Sequence, residues 1–303
     1  MELRKHMLRS FLISISALLF VILIVLFPRE MNIEVQGFGY VAREYHFSLS
    51  AYMDNVGTFF KDAIVNKSLG ESFYPEISVE YTVMKAMSKS LLIMGTALII
   101  SLIIGTLKGI MDYRLSSTRF RVFGNWLTWL FHSIPDFLFL LLIQWFMIRH
   151  IRSIPFFARG EWYDFILPAC LVSIYPIIYI ARITHASMTE QDGQLYIQVA
   201  RSKGVSELLI LFRHILSNSL STLLTHVSSL FVYIISSLLM VEIFTNYQGA
   251  AYTLFRAIDY SKSFGTGVNY NPGIIIGISC CFMILILFIQ FISQLAKRYV
   301  DPR

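Results

Sequence analysis

The chain has 303 residues, 56% of them apolar and only 15% charged, with a formal charge of +6. A soluble domain carries about 25% charged residues, so this composition excludes a soluble globular protein. The positive balance does not point to nucleic acid, because Lys and Arg in membrane proteins collect on the cytoplasmic face and fix orientation.

The first apolar run, about 11–27, follows Arg4, Lys5 and Arg9 as the core of a signal peptide would. It is long for such a core and runs into Phe27-Pro28-Arg29 without a small-x-small cleavage site, so it is predicted to be a retained span. The segment 28–89 is polar by comparison, yet Tyr52, Val56, Phe59, Phe60 and Ala63 recur at helical spacing. It is predicted to hold an outward amphipathic helix that lies on the membrane or packs on the bundle. Five further spans follow at about 90–109, 126–148, 166–183, 222–243 and 272–293, each near the ~20 residues that cross a bilayer. Backbone polar groups in lipid must be satisfied within the segment, and uninterrupted apolar runs do so only as helices.

Six spans put both termini on one side. With that side cytoplasmic, the inner segments carry fourteen Lys and Arg, among them Lys108, Arg182, Arg201, Lys203, Arg213 and Lys297, and the short outer loops five. The split favours both termini inside. The predicted organisation is residues 1–89, a span with a long outer segment, and residues 90–303, a five-span core.

Within the core, Asp136 follows Ser133-Ile-Pro135 near the start of the third span, and His226 and Glu242 lie in the fifth. An ionised group at mid-bilayer costs about 2.5–3.5 kcal/mol on insertion scales, so such residues face protein or water. Asp136, His226, Ser229 and Glu242 are therefore candidates for lining a pathway; Asp136 and Glu242 also lie near span ends, where headgroups and water reach them. Ser228, Ser229, Ser236 and Ser237 form a small polar stripe suited to close packing or a wet cavity. Pro135, Pro168 and Pro176 are potential kinks, and Gly105-x-x-x-Gly109 and Gly273-x-x-x-Gly277 permit close helix contact. Cys170, Cys280 and Cys281 lack metal-ligand spacing and read as small buried apolar residues. No nucleotide-binding, hydrolase or zinc motif is present in the sequence, so the chain is read as no enzyme, with no catalytic, metal or cofactor residue of its own.

Between the fourth and fifth spans, residues 184–221 are polar but patterned. Tyr196, Val199, Ala200 and Lys203 can share one helical face, and Gly204 can end that helix in a left-handed cap. Ser206 is then an N-cap for a second helix whose Leu208, Leu211, Phe212 and Ile215 repeat at i, i+3, i+4, i+7. This helix–glycine–helix is suited either to docking in a partner's groove or to lying on the membrane surface.

Tyr196-Ile-Gln-Val-Ala-Arg-Ser-Lys-Gly204, preceded by Ala186-Ser-Met-Thr-Glu190 and followed by Arg213-His-Ile-Leu-Ser-Asn-Ser-Leu220, resembles the EAA loop of bacterial ABC importer permeases. Gln198-Val-Ala200 stands at the Glu-Ala-Ala positions and Gly204 at the glycine, as in the oligopeptide, dipeptide and nickel branch. Ser68-Leu-Gly-Glu-Ser72, Ser133-Ile-Pro-Asp-Phe137, Val241-Glu-Ile-Phe244 and the Asp301-Pro-Arg303 tail resemble motifs of the same branch, in the same order. Two stretches depart from it: Asn246-Tyr-Gln-Gly-Ala250 replaces a Trp-Pro-Gly-Leu-Gly, and no Pro-Gly-Asp follows the first span.

The resemblance implies an all-α membrane protein of type I importer permease architecture with a cytoplasmic coupling helix. It implies half of a translocation pathway, completed by a homologous permease, driven by two cytoplasmic ATPases that bind ATP and Mg, and fed by an extracytoplasmic binding protein. The solute would be a peptide or a metal chelate, and the location a bacterial inner membrane. Tyr196, Ala200, Arg201, Lys203, Gly204, Ser206 and Arg213 would carry the coupling. Two other classes fit the residues alone: an ion-coupled transporter using Asp136, Glu242 or His226, and a membrane receptor or scaffold without transport.

Overall fold

The computed structural model describes residues 2–28, 32–36, 40–44, 47–73, 76–116, 128, 130–131, 133–151, 154–259 and 270–300. The chain divides into two compact units, residues 1–87 with 253–284 and residues 88–252 with 285–303. Five helices among the described residues are long and apolar enough to cross a membrane: α1 (Glu2–Val25), α3 (Val79–Leu115), α5 (Ile166–Asp192), α7 (Glu207–Phe244) and α9 (Pro272–Val300). The predicted third span is described in its second half as α4 (Asp136–His150), which begins directly after Pro135; residues 117–127, 129 and 132 lie outside the described residues, as does the Asp301–Arg303 tail.

Two spans exceed their predicted lengths. α3 has 37 residues and α7 has 38. At 1.5 Å per residue each is about 55 Å long, well beyond a ~30 Å hydrocarbon core, so both carry ordered helix out of the bilayer.

In the first unit, α1 is followed by an antiparallel pair of strands that the sequence did not lead us to predict, β1 (Asn32–Gln36) and β2 (Tyr40–Glu44), in register from Asn32 opposite Glu44 to Gln36 opposite Tyr40. The expected amphipathic helix is present as α2 (Leu49–Lys61), extended by a π-helical turn, Asp62–Asn66. Ser48 caps its N-terminus by accepting from the Ala51 amide at 3.3 Å. The Leu69 amide donates to Glu80 Oε1 at 2.5 Å, tying the chain before α3 to its first turn. Gly273 of α9 lies directly against the Leu69 carbonyl, and a Cβ at Gly277 would meet Val83 at 3.1 Å. The second glycine pair therefore admits close packing, as its spacing suggested. Helix α8 (Ala250–Ile258) extends into this unit, where the Arg256 guanidinium stands 4.6 Å from the Phe73 ring centroid.

In the second unit α3, α5 and α7 form the packed centre. A Cβ at Gly105 would come 2.8 Å from the Ile177 carbonyl oxygen, and one at Gly109 would come 2.7 Å from that of Ala181. The backbones thus approach as closely as glycine allows. Ile180 and Ala181 at this contact are fully buried, as are Leu230, Ile234 and Leu238 of α7. Pro176 lies within α5 and is buried. Near the end of α3, Lys108 Nζ pairs with Asp112 at 2.7 Å and donates to Thr128 Oγ1 at 3.1 Å. The cysteines correct an expectation: all three are free, but Cys280 and Cys281 are only half-buried and Cys170 is exposed, the last bordering an open apolar hollow with Ile154, Phe157 and Tyr163.

Candidate functional site

The loop between α5 and α7 folds as helix, glycine turn, helix. Its first helix, α6, spans Leu195–Ser202. Gly204 follows at φ +75°. Its amide donates to the Arg201 carbonyl at 2.9 Å, and the Val205 amide reaches back to the Ala200 carbonyl at 3.2 Å. This pair of bonds is a Schellman motif, in which the residue after the helix must adopt the left-handed conformation that glycine takes without a Cβ penalty. Val205 and Ala200 complete it with the usual apolar contact, both packed on a core of Met188, Ile197, Ile210, Leu211 and Ile215. Ser206 takes an extended N-cap backbone and its carbonyl accepts from the Ile210 amide at 3.0 Å, but its side chain makes no capping bond.

The apolar faces differ from the predicted ones. In α6 the buried residue is Ile197; Tyr196 and Val199 are exposed, as is Lys203 just beyond its end. In α7 the predicted stripe of Leu208, Leu211, Phe212 and Ile215 is split: Leu211 and Ile215 are buried with Ile210, whereas Leu208 and Phe212 are each 55% exposed. The cause is a π-helical stretch at Ile210–Leu216. Its i→i+5 bonds widen the turn, so residues five apart come into line and Phe212 is rotated outward. Leu208 and Phe212 are thus exposed apolar residues of the loop, as are Leu195 and Val199.

Two side chains brace α6 against both neighbours. Tyr196 donates its hydroxyl to Gln191 Oε1 at 2.7 Å and accepts from Asn218 Nδ2 at 2.8 Å. Arg201 donates from Nη2 to Asp192 Oδ1 at 2.7 Å and from Nε to Glu207 Oε1 at 3.0 Å. Glu207 foremost, and Asp192 after it, hold the guanidinium above its ordinary range. Gln191 and Asp192 end α5, and Glu207 begins α7, so the loop is strutted to the helices on either side. Sequence reasoning missed these four partners, since nothing local marks which polar neighbours pair. Arg213 is exposed on the π-helical stretch.

The candidate lining residues separate into two groups. His226 Nδ1 lies 3.1 Å from the Tyr179 hydroxyl, and Tyr179 stacks on Tyr233 with centroids 6.3 Å apart. Ser229 is exposed on the same side of α7, three residues after His226 and four before Tyr233. Thr225 and Ser236 are exposed on the same stripe. Asp136, half-buried, accepts the Phe137 amide at the start of α4, a helix whose entry is held by the Tyr175 hydroxyl on the Ile134 carbonyl at 2.8 Å.

Glu242 is different. It is fully buried and accepts from the Ser90 hydroxyl and from the Tyr252 amide at 2.9 Å; the Ala250 amide donates to Ser90 Oγ at 2.7 Å. Gly249 lies against both groups with no room for a Cβ. The structure therefore replaces the expectation of a lining carboxylate with a buried staple that holds the turn after α7. In that turn Asn246 takes the left-handed conformation, φ 54°, and repeats the Schellman pattern seen at Gly204.

The sequence from residue 97 to 303 matches the model of the binding-protein-dependent transport system inner membrane component family. The chain belongs to this family. It is a permease component of an ABC importer and a multi-pass membrane protein. Among its relatives, the permease is 26% identical over 251 residues to the dipeptide transport system permease protein DppB of Bacillus subtilis (strain 168), covering 81% of this chain and 77% of that one. It is 29% identical over 200 residues to a putative peptide transport system permease protein of Brucella suis biovar 1 (strain 1330), covering 63% of each chain. It is 24% identical over 280 residues to DppB of Alkalihalophilus pseudofirmus, covering 83% of this chain and 81% of that one. The permease fold is also that of a chain in the inward-facing methionine ABC transporter MetNI, with a TM-score of 0.59 at 17% identity over 73% of this chain and 97% of that one.

Proposed function

We propose that this permease is the transmembrane half of an ATP-driven importer of peptides. Its pathway is completed by a homologous permease, its energy is supplied by two cytoplasmic ATPases that bind ATP and Mg, and its substrate is delivered by an extracytoplasmic binding protein. The described spans, together with one through 126–148, make six, with both termini and the 184–221 loop in the cytoplasm of a bacterial inner membrane. The observation that carries this reading is the braced helix–glycine–helix with its exposed apolar residues. A rigid element with Leu195, Val199, Leu208 and Phe212 uncovered suits a groove on an ATPase and can pass that subunit's motion to α5 and α7. A flexible loop would absorb the motion instead.

Peptide as the solute rests on the relatives named for dipeptide and peptide transport. The hydroxyl stripe of α7, Thr225, Ser229 and Ser236 with Tyr233 and His226, supports the lining role, because exposed polar groups on a spanning helix require water or protein opposite them. Asp136 lies at the entry of α4, where it can meet the same pathway. The test is purification from the native membrane in mild detergent, followed by reconstitution with labelled dipeptide. Co-purification of nucleotide-binding subunits and uptake that requires ATP are expected. Accumulation driven by an ion gradient with no ATPase present would overturn the reading.

Arg201 gives a graded prediction within it. Exposed ion pairs contribute about 0.2–1 kcal/mol each, so Arg201→Ala is expected to slow uptake by about fivefold while leaving the membrane level unchanged. Arg201→Lys, which keeps the charge but cannot grip two carboxylates in a fixed fork, falls between. Initial uptake rates at matched protein level check the order.

A further inference from the structure

Helix α2 carries three strips. The first faces the protein: Tyr52, Val56, Phe59 and Ala63 are half-buried, as four of the five residues singled out by spacing. The fifth, Phe60, belongs to a second strip with Leu49, Met53 and, in the π-helical turn, Ile64; Met53 is 64% and Ile64 73% exposed. The third strip is polar and exposed, formed by Ser50, Asp54, Thr58 and Lys61. At about 100° per residue the order around the helix is protein, apolar, polar. A helix standing free in water would have no use for the middle strip.

The depth of α2 is fixed by its attachments. Tyr52 donates its hydroxyl to the Leu23 carbonyl at 2.9 Å, and Asn55 Nδ2 to the Leu26 carbonyl at 3.5 Å. Both acceptors lie at the end of a span whose apolar window closes at Val25. Phe27 stacks on Phe47 at 5.3 Å and meets Tyr52 at 5.8 Å, an aromatic cluster at the level where such rings collect in membrane proteins. Only 11% of the α1 window is buried within this chain, so the chain itself leaves most of the surface that α2 adjoins uncovered.

We propose that α2 is an interfacial helix, hooked to the end of α1 and seated in lipid along Leu49, Met53, Phe60 and Ile64. The occupant of the apolar strip is the headgroup–acyl boundary, and the polar strip faces water. A protein partner on this strip is the competing occupant.

The test uses the full permease complex in lipid vesicles, with the cysteines at 170, 280 and 281 replaced by Ser and a single nitroxide label at position 53, 64, 54 or 58. Collision with oxygen, which partitions into lipid, is compared with collision with a water-soluble nickel chelate. Labels at 53 and 64 are expected to favour oxygen, at a depth of about 5–10 Å, and labels at 54 and 58 to favour nickel. Equal nickel accessibility at all four positions would overturn the proposal by placing α2 in water. Labels at 53 and 64 shielded from both reagents would overturn it in favour of a protein partner. A label that disturbs the fold is recognised by loss of the chain from the membrane, and Leu49 then serves in its place.

Discussion

Gly204→Val is expected to abolish the proposed uptake while the protein remains at its normal level in the membrane. The reason lies in the backbone. Gly204 sits at φ +75° and closes the Schellman motif that ends α6, and a Cβ there meets nothing within 4 Å in this chain. The penalty is therefore conformational rather than steric. A left-handed residue costs about 1–2 kcal/mol when it carries a Cβ, more when β-branched, which is a factor of about 5–30 in the population of the correctly closed turn. Asn tolerates this conformation, as Asn246 does in the second turn of the same kind. The expected order of uptake is Gly, Asn, Ala, Val, measured as initial rates with membrane level and ATPase association followed in parallel. Equal loss with Asn and Val would show instead that a partner packs against the glycine, and unchanged uptake with Val would remove the coupling role.

Gly109→Leu is expected to lose the protein itself. A Cβ at Gly109 would lie 2.5 Å from Thr184 Cβ and 2.7 Å from the Ala181 carbonyl oxygen, and one at Gly105 would meet its nearest neighbours at 2.8 Å. In lipid no hydrophobic force drives helices together, so close van der Waals contact between small residues carries the association. Overpacking a core costs about 1–3 kcal/mol where side chains can shift; here backbone is in the way, and α3 must separate from α5. The steady-state membrane level and the unfolding temperature in detergent both report this loss. Gly95 offers the control, being on the same helix with nothing within 4 Å of its Cβ position. Gly95→Leu, which raises helix propensity as Gly109→Leu does, should leave both measurements unchanged, and equal loss at both positions would show that the close approach at Gly109 is not responsible.

The spans, the helix–glycine–helix and the amphipathic α2 were legible because each rests on local signals: continuous apolarity, a glycine at a helix end, and apolar residues at helical spacing. Residues 126–148 were expected to cross as well, and from Asp136 onward they are helical. What was misread depended on partners or on an irregular turn. The phase of the α7 face failed because a π-helical stretch changes the period, and no side chain pattern announces it. The antiparallel β1 and β2 were missed: Asn32–Gln36 alternates polar and apolar residues, but Tyr40–Glu44 does not, so no paired strand signal stands out.

Glu242 shows the limit most plainly. Its sequence position, a carboxylate near a span end, suits a lining role and a structural one alike. Only its distant neighbours Ser90, Ala250 and Tyr252 decide that it is a buried staple. Arg201 and Tyr196 lie within the EAA-like stretch, but that they act as struts depends on Asp192, Glu207, Gln191 and Asn218. The sequence by itself determined that the chain is a helical membrane protein with an ordered loop between two spans, because hydropathy and caps act within a few residues, and its motifs carried the resemblance to importer permeases. The tertiary structure decided which polar groups face each other, how closely glycines let helices approach and which apolar faces stay open, because those depend on contacts between residues far apart along the chain.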